Sequence, residues 1–398
     1  MTLHPLTVDT ITSKDKKNAL RVIKSGMITM GKYTKLVEKK FSNIFKRYCL
    51  MVNSGSSANL LAFALLKNKF SSFKIKSGDE VLIPAVCWST SLYPIIQLGL
   101  KPVFVDIDLK TLNVDISDLE KKITKKTKCL MLIHALGNCA QMNELTKILK
   151  KKKIILIEDT CEGLGSLFAK RKLGTFGDIS TFSFYFSHHI TSGEGGLITC
   201  KKRKDYEVLL ALRSHGWSKD IQIFRKNFKN KFNDKFQFVN LGYNLRPTDI
   251  QASILVNQIS KINKFKEIRL KNYKLIKLHL IKKDIIKKNV YFIDCYKQSE
   301  PSWFGFPIIL KSQLLRFRNK IADDLEKMGI HTRPIISGNF LEQPVMKKMP
   351  IAFKHKYLPS SKYVHKAGLF IGLPSNRISE KKANKIAKTI EKIFLKLK

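Results

Sequence analysis

The chain has 398 residues, 44% of them hydrophobic, and carries 74 Lys and Arg against 31 Asp and Glu, a formal net charge of +43. That length supports a sizeable core shared between a larger and a smaller domain. The charge invites a nucleic-acid or membrane-surface partner, but the lysines fall in solvated runs such as KKITKKTK (121–128) and KILKKKK (147–153), with no zinc-finger spacing and no basic run laced with stacking aromatics, so neither partner is expected.

In chain order, the opening MTLHPLTVDTITSKDKK lacks the apolar core of a signal peptide, and no apolar run is long enough to span a bilayer. Seven cysteines lie scattered without a CxxC pair, which reads as reduced thiols in a cytoplasmic protein. YCLMVNS (48–54) predicts a buried strand, and SSANLLAFALL after Gly55 predicts a helix. EVLIPA (80–85), PVFVDI (102–107), CLMLIHA (129–135) and IILIED (154–159) are further strands with helical segments between several of them. Such alternation predicts an α/β fold with a mostly parallel sheet covered on both faces. The aromatic run in SFYFSHHITSGEGG (183–196) reads as strand-like before its two histidines and a glycine-rich turn. A Lys-rich helical stretch near 248–282 bridges to a second region, where WFGFPIIL (303–310), a helix near 312–328 and LFIGLP (369–374) predict a small α/β domain. Residues 1–260 are therefore read as a large cofactor-binding domain and 261–398 as the bridging helix and small domain, the N-terminal segment being a candidate to pack with the latter.

Ligands of an open parallel sheet bind beyond the carboxyl ends of its strands, so the residues just after each strand matter most. Ser54-Gly55-Ser56-Ser57 leads into a helix whose free N–H groups form an anion cup suited to phosphate. Trp88, after the second strand, is placed to stack on a flat ring. Asp159 ends a buried strand, where a carboxylate wants a cationic partner such as a protonated ring nitrogen. Ser183 and the histidines come to the same edge. Each feature alone has a structural alternative: a plain helix cap, a core Trp, an ion pair with Lys, a packed His. Together they describe a site for an anionic, flat, N-heterocyclic cofactor, and pyridoxal phosphate (PLP) meets all the requirements.

The ordered motifs SGSSANL, PAVCWST, EDTCEGLGS, SFYFSHHITSGEGG and LGYNLRPTDIQAS resemble the DegT/DnrJ/EryC1/StrS sugar-aminotransferase family of fold-type-I PLP enzymes, over nearly the whole chain. In that family the sixth residue, counting the serine of the SF motif as the first, is normally the lysine that holds PLP covalently. Here it is His188. The HHITSGEGG, RSHGW (213–217) and TRPIISGNFLEQP (332–344) segments resemble the branch of sugar 3-dehydratases that shares this change. The resemblance implies removal of the C3 hydroxyl from a nucleotide-linked 4-keto-6-deoxyhexose, with pyridoxamine phosphate (PMP) bound without a covalent link and His188 as the catalytic base. It implies Ser56, Ser57, Trp88, Asp159, Glu162, Ser183 and Asn244 as cofactor contacts, Asn244 reaching across a homodimer with shared active sites. His215, Arg246 and Arg333 are candidates for the sugar, its pyrophosphate or the donor carboxylates, and His189 reads as a structural neighbour. No metal site is expected. One variant of the branch uses an iron–sulfur cluster, whose cysteines would crowd near 213–230. This chain has none there, and it resembles the glutamate-driven colitose-pathway variant, which implies GDP-4-keto-6-deoxymannose as substrate. The alternatives are a sugar aminotransferase lacking the usual lysine, or a non-catalytic regulatory or nucleic-acid-binding relative.

Overall fold

The structure, a computed structural model, describes residues 2–218, 221, 236–349 and 357–397. Most of the cysteine-free stretch within 213–230 lies outside the described residues. Strands β1 (Tyr48–Val52), β2 (Glu80–Pro84), β3 (Lys101–Val105), β4 (Thr127–Ile133), β5 (Ile155–Asp159), β6 (Ile179–Ser183) and β7 (Gly196–Cys200) form one sheet in the order β1-β7-β6-β5-β4-β2-β3. Neighbours from β6 to β3 pair in parallel, and β7 alone runs against both β1 and β6. Six strands therefore deliver their carboxyl ends to one edge.

The apolar runs are nearly continuous because both faces are covered. Leu82, Val103, Leu130 and Leu156 pack in a cluster with Leu145 and Leu149 of the helix Met142–Lys152. The alternating residues Val81, Ile83, Phe104, Met131 and Ile157 share a cluster with Leu61 and Leu65 of the helix Gly55–Leu66. A second sheet, all antiparallel, orders Val290–Tyr291, Gly305–Leu310, Gly368–Gly372 and Thr332–Arg333. The N-terminal segment runs beside it: His4 bridges Ile330, and its Nε2 lies 2.7 Å from the Gly372 carbonyl oxygen.

Two segments depart from the sequence reading. The stretch near 248–282 is two helices, Asp249–Gln258 and Ile262–Ile281, separated by a 3-10 turn at Ile259–Lys261. Asp249, the first residue of its own helix, turns its carboxylate to another: it accepts from the N–H groups of Gly31, Tyr33 and Thr34, and so caps the helix Lys32–Phe45. The aromatic run after Ser183 is not strand. Phe184 is buried, but Tyr185 and Phe186 are exposed, and the His188 N–H turns back to the Tyr185 carbonyl. That turn, rather than an extended strand, presents His188.

Candidate active site

A cavity of about 770 Å³ opens at the carboxyl edge of the large sheet and reaches the small one. Its floor is set by a close approach. A side chain at Gly55 would lie 2.6 Å from the Ser183 Cβ, so glycine lets the first turn of the helix Gly55–Leu66 abut the end of β6. Ser54 caps that helix by accepting from the Ser57 N–H at 3.1 Å, and Ser56 Oγ donates to Thr90 Oγ1 at 3.1 Å. Ser54, Gly55, Ser56 and Thr90 line the cavity, with the helix N-terminus facing it, a local arrangement suited to an anion.

Asp159, at the end of β5, is 7% exposed and lines the same space. Its Oδ2 accepts from Asn59 Nδ2 at 3.0 Å and Ser91 Oγ at 2.8 Å, and its Oδ1 accepts from the Cys161 N–H at 3.1 Å. These bonds fix the carboxylate without neutralising it. Among the described residues no Lys or Arg pairs with it, so its charge is open to a cation entering the cavity. Glu162 accepts from the Leu136 N–H at 2.8 Å, and burial, with Asp159 nearby, pushes its carboxyl up to about 7. The neighbouring Glu158 behaves oppositely. Burial would raise it, but His134 and the N–H groups of Gly174 and Gly177 bind the carboxylate and hold it below its usual range.

His188 is partly exposed to the cavity, with Nδ1 2.9 Å from the Cys161 carbonyl oxygen. A carbonyl only accepts, so Nδ1 carries the hydrogen and Nε2 keeps its lone pair. Desolvation pushes this imidazole down to about 4, so it is neutral at physiological pH. The Phe304 ring lies 5.2 Å from it. His189 is buried and bonds through Nε2 to the Ser302 carbonyl at 2.6 Å. Among the described residues no lysine lines the cavity.

Of the residues singled out in the sequence, the cavity brings together Ser56, Trp88, Asp159, Glu162, Ser183, His188 and Arg333. Ser57 sits behind Ser54, buried in the helix start. His215, Asn244 and Arg246 form a separate cluster: Arg246 Nε donates to Asn244 Oδ1 at 3.0 Å, and Arg246 Nη2 lies 3.3 Å from His215 Nε2. None of the three lines the cavity of its own chain. Asn59, Ser91, Glu194 and Phe304 line it and were missed. Asn59 had a signal, one turn into the helix that follows the serine cup. Phe304 had none.

The residues fit PLP or PMP: an anion cup, an uncompensated carboxylate fixed by three neutral donors, and an exposed Trp88 at the rim. The DegT/DnrJ/EryC1/StrS aminotransferase family matches residues 9–391. GDP-4-keto-6-deoxy-D-mannose 3-dehydratase of Escherichia coli O55:H7 is 38% identical over 93% of this chain and 95% of its own. The solved E. coli GDP-4-keto-6-deoxy-D-mannose-3-dehydratase with bound hydrated PLP is 35% identical, with a TM-score of 0.88 over 98% of this chain and 100% of the other. A GDP-4-keto-6-deoxymannose-3-dehydratase with a trapped PLP-glutamate geminal diamine is 35% identical, with a TM-score of 0.87 over 97% and 100%. The fold-type-I architecture expected from the sequence is the one observed, and the chain belongs to the DegT/DnrJ/EryC1/StrS aminotransferase family.

Proposed function

We propose that this chain is a PLP/PMP-dependent nucleotide-sugar 3-dehydratase, a hydro-lyase, which takes GDP-4-keto-6-deoxymannose and uses L-glutamate as amino donor. The observation that carries the reading is His188, anchored at Nδ1, with no partner on Nε2 and no lysine lining its cavity among the described residues. Without a lysine amine the cofactor is held non-covalently, and the residue in the lysine's place moves protons instead. When bound, the aminated cofactor supplies an amine for the C4 ketone and an electron sink that lets the C3 hydroxyl leave as water.

The chain's own residues divide the remaining work. His188 Nε2 removes and returns the proton at the cofactor's C4′ carbon. Asp159, fixed by Asn59 and Ser91, keeps the ring nitrogen protonated. The helix start at Ser54–Ser56, with Ser183, holds the phosphate. Glu162, which lines the same cavity, would bind the ring hydroxyl. Arg333, on the small-sheet side, offers a planar fork to a carboxylate or pyrophosphate. A homodimer with shared sites is supported by exposed apolar residues beside the outlying cluster: Phe236, Phe238 and Leu241 are 64%, 63% and 92% exposed. Asn244 would then serve the partner's cofactor. No helix among the described residues is long and apolar enough to cross a membrane.

The test is incubation with GDP-4-keto-6-deoxymannose, PLP and glutamate, read by mass spectrometry. A 3-deoxy product with accumulating 2-oxoglutarate is expected, and PMP alone should give about one turnover per bound cofactor. A product with its C3 hydroxyl intact and an amine at C4 would make the chain an aminotransferase. A requirement for a reductase would overturn the glutamate assignment.

A further inference from the structure

Arg269, on the helix Ile262–Ile281, is 1% exposed. Its Nη1 donates to the carbonyls of Trp303 at 3.3 Å and Phe304 at 3.1 Å, and its Nε donates to Ser375 Oγ at 3.3 Å. All three acceptors are neutral, and no carboxylate among the described residues pairs with it. One turn further along the helix, Tyr273 stacks on Trp303 at 4.2 Å between ring centroids, so the same helix face grips this segment twice. His189 binds the preceding carbonyl, that of Ser302. Three consecutive carbonyls are thus held from two sides.

That segment touches the chemistry in two places. The Phe304 ring packs 5.2 Å from the His188 ring. The Phe304 N–H donates to the Leu136 carbonyl at 2.8 Å, and the Leu136 N–H donates to Glu162. A neutral donor would satisfy the carbonyls at less cost than a buried cation. What the guanidinium adds over a neutral donor is its rigid fork, which holds two consecutive carbonyls and Ser375 at once.

We infer that Arg269 is a positioning residue for the reaction: its planar fork sets the 302–304 segment that seats His188. The inference rests on His188 being the base. The charged and titratable groups around His188 are Asp159, Cys161 and Glu162 beyond β5, Tyr185 on its own turn, Glu194 on the glycine-rich turn, His189 beside it, Arg333 from the small sheet and Arg269 from the bridging helix. Asp159 favours the protonated imidazole. Desolvation and Arg269 oppose it. Burial pulls the guanidinium down only to about 10, so it stays charged throughout the working range.

The experiment follows the His188 ring by NMR in the cofactor-free full-length protein, its signal assigned by its loss in His188→Asn, alongside dehydration kinetics. Arg269→Gln keeps an N–H donor but loses the fork, so kcat should fall about tenfold, and the loss of the cation should raise the His188 midpoint. Arg269→Lys keeps the charge and loses the planar fork. Its midpoint should stay at the wild-type value while kcat falls about tenfold with KM within about twofold. A wild-type kcat in Arg269→Gln or in Arg269→Lys overturns the inference. If Arg269→Gln does not fold, the Lys variant still decides. A wild-type protein without dehydratase activity would refute the proposed function and leave the NMR result standing.

Discussion

His188 and Cys161 are joined by a 2.9 Å hydrogen bond between the imidazole Nδ1 and the main-chain carbonyl oxygen. The bond fixes both the tautomer and the direction of the ring. A side chain that keeps only this bond should bind cofactor and fail at proton transfer. His188→Asn retains an N–H donor and loses the base. Its kcat should fall by about 10²–10⁴-fold, the range for a lost general base. The PLP dissociation constant, read by absorbance titration, should change less than about fivefold, because the phosphate and ring-nitrogen contacts lie elsewhere. A kcat within tenfold of wild type would remove His188 from the role of base.

Among the described residues no lysine lines the cavity, which makes a second prediction. Borohydride treatment of the wild-type protein with PLP should leave no mass increment. His188→Lys supplies the missing amine in the same cavity, so the same treatment should add one cofactor-sized mass, located by peptide mapping to position 188. Dehydration should be largely lost, because the amine competes with PMP for the same position. An adduct on a lysine of the wild-type chain would place the cofactor outside this cavity.

Asp159 and His188 were legible because chemistry at a strand end is local. The apolar run, the carboxylate and the turn lie within a few residues of each other. What supports them is not local. Asn59 reaches Asp159 from 100 residues away, Ser91 from 68, and His189 meets Ser302 across 113. Arg269 looked like one more cation in a Lys-rich helix of a chain with net charge +43. Only the packing shows that its face, with Tyr273, is turned inward. The antiparallel β7 was hidden for a similar reason: its direction is set by the connection 184–195, which returns the chain along β6.

Glu162 and His188 should give opposite pH dependences of stability. Glu162 in the folded protein titrates near 7, above its unfolded value. The native state therefore holds a proton that the unfolded chain has lost. Its contribution is fully present below the unfolded carboxylate pKa and is lost as pH rises through 7. His188 in the folded protein titrates near 4, below its unfolded value of about 6.5. Its contribution is present above 6.5 and is lost as pH falls through 4. Urea unfolding of the cofactor-free protein between pH 5 and 8 reads both. Relative to wild type, Glu162→Gln should gain stability as pH rises, and His188→Asn should gain it as pH falls. Parallel curves for either variant would mean that the group has the same proton affinity in both states.

The cluster of His215, Asn244 and Arg246 is well formed but does not line its own chain's cavity. Its neighbours Phe238 and Leu241 are exposed apolar residues, as expected of a surface that another chain covers. If Asn244 completes the partner's site, His188→Asn and Asn244→Ala damage sites in different ways. A heterodimer of the two variants has one site with both lesions and one with neither. Each homodimer alone should be nearly inactive. After mixing and subunit exchange at equal amounts, about half the molecules are heterodimers with one intact site each, so activity should recover to roughly a quarter of wild type. Exchange is checked independently with two affinity tags. Full exchange without recovery would show that each chain builds its site from its own residues.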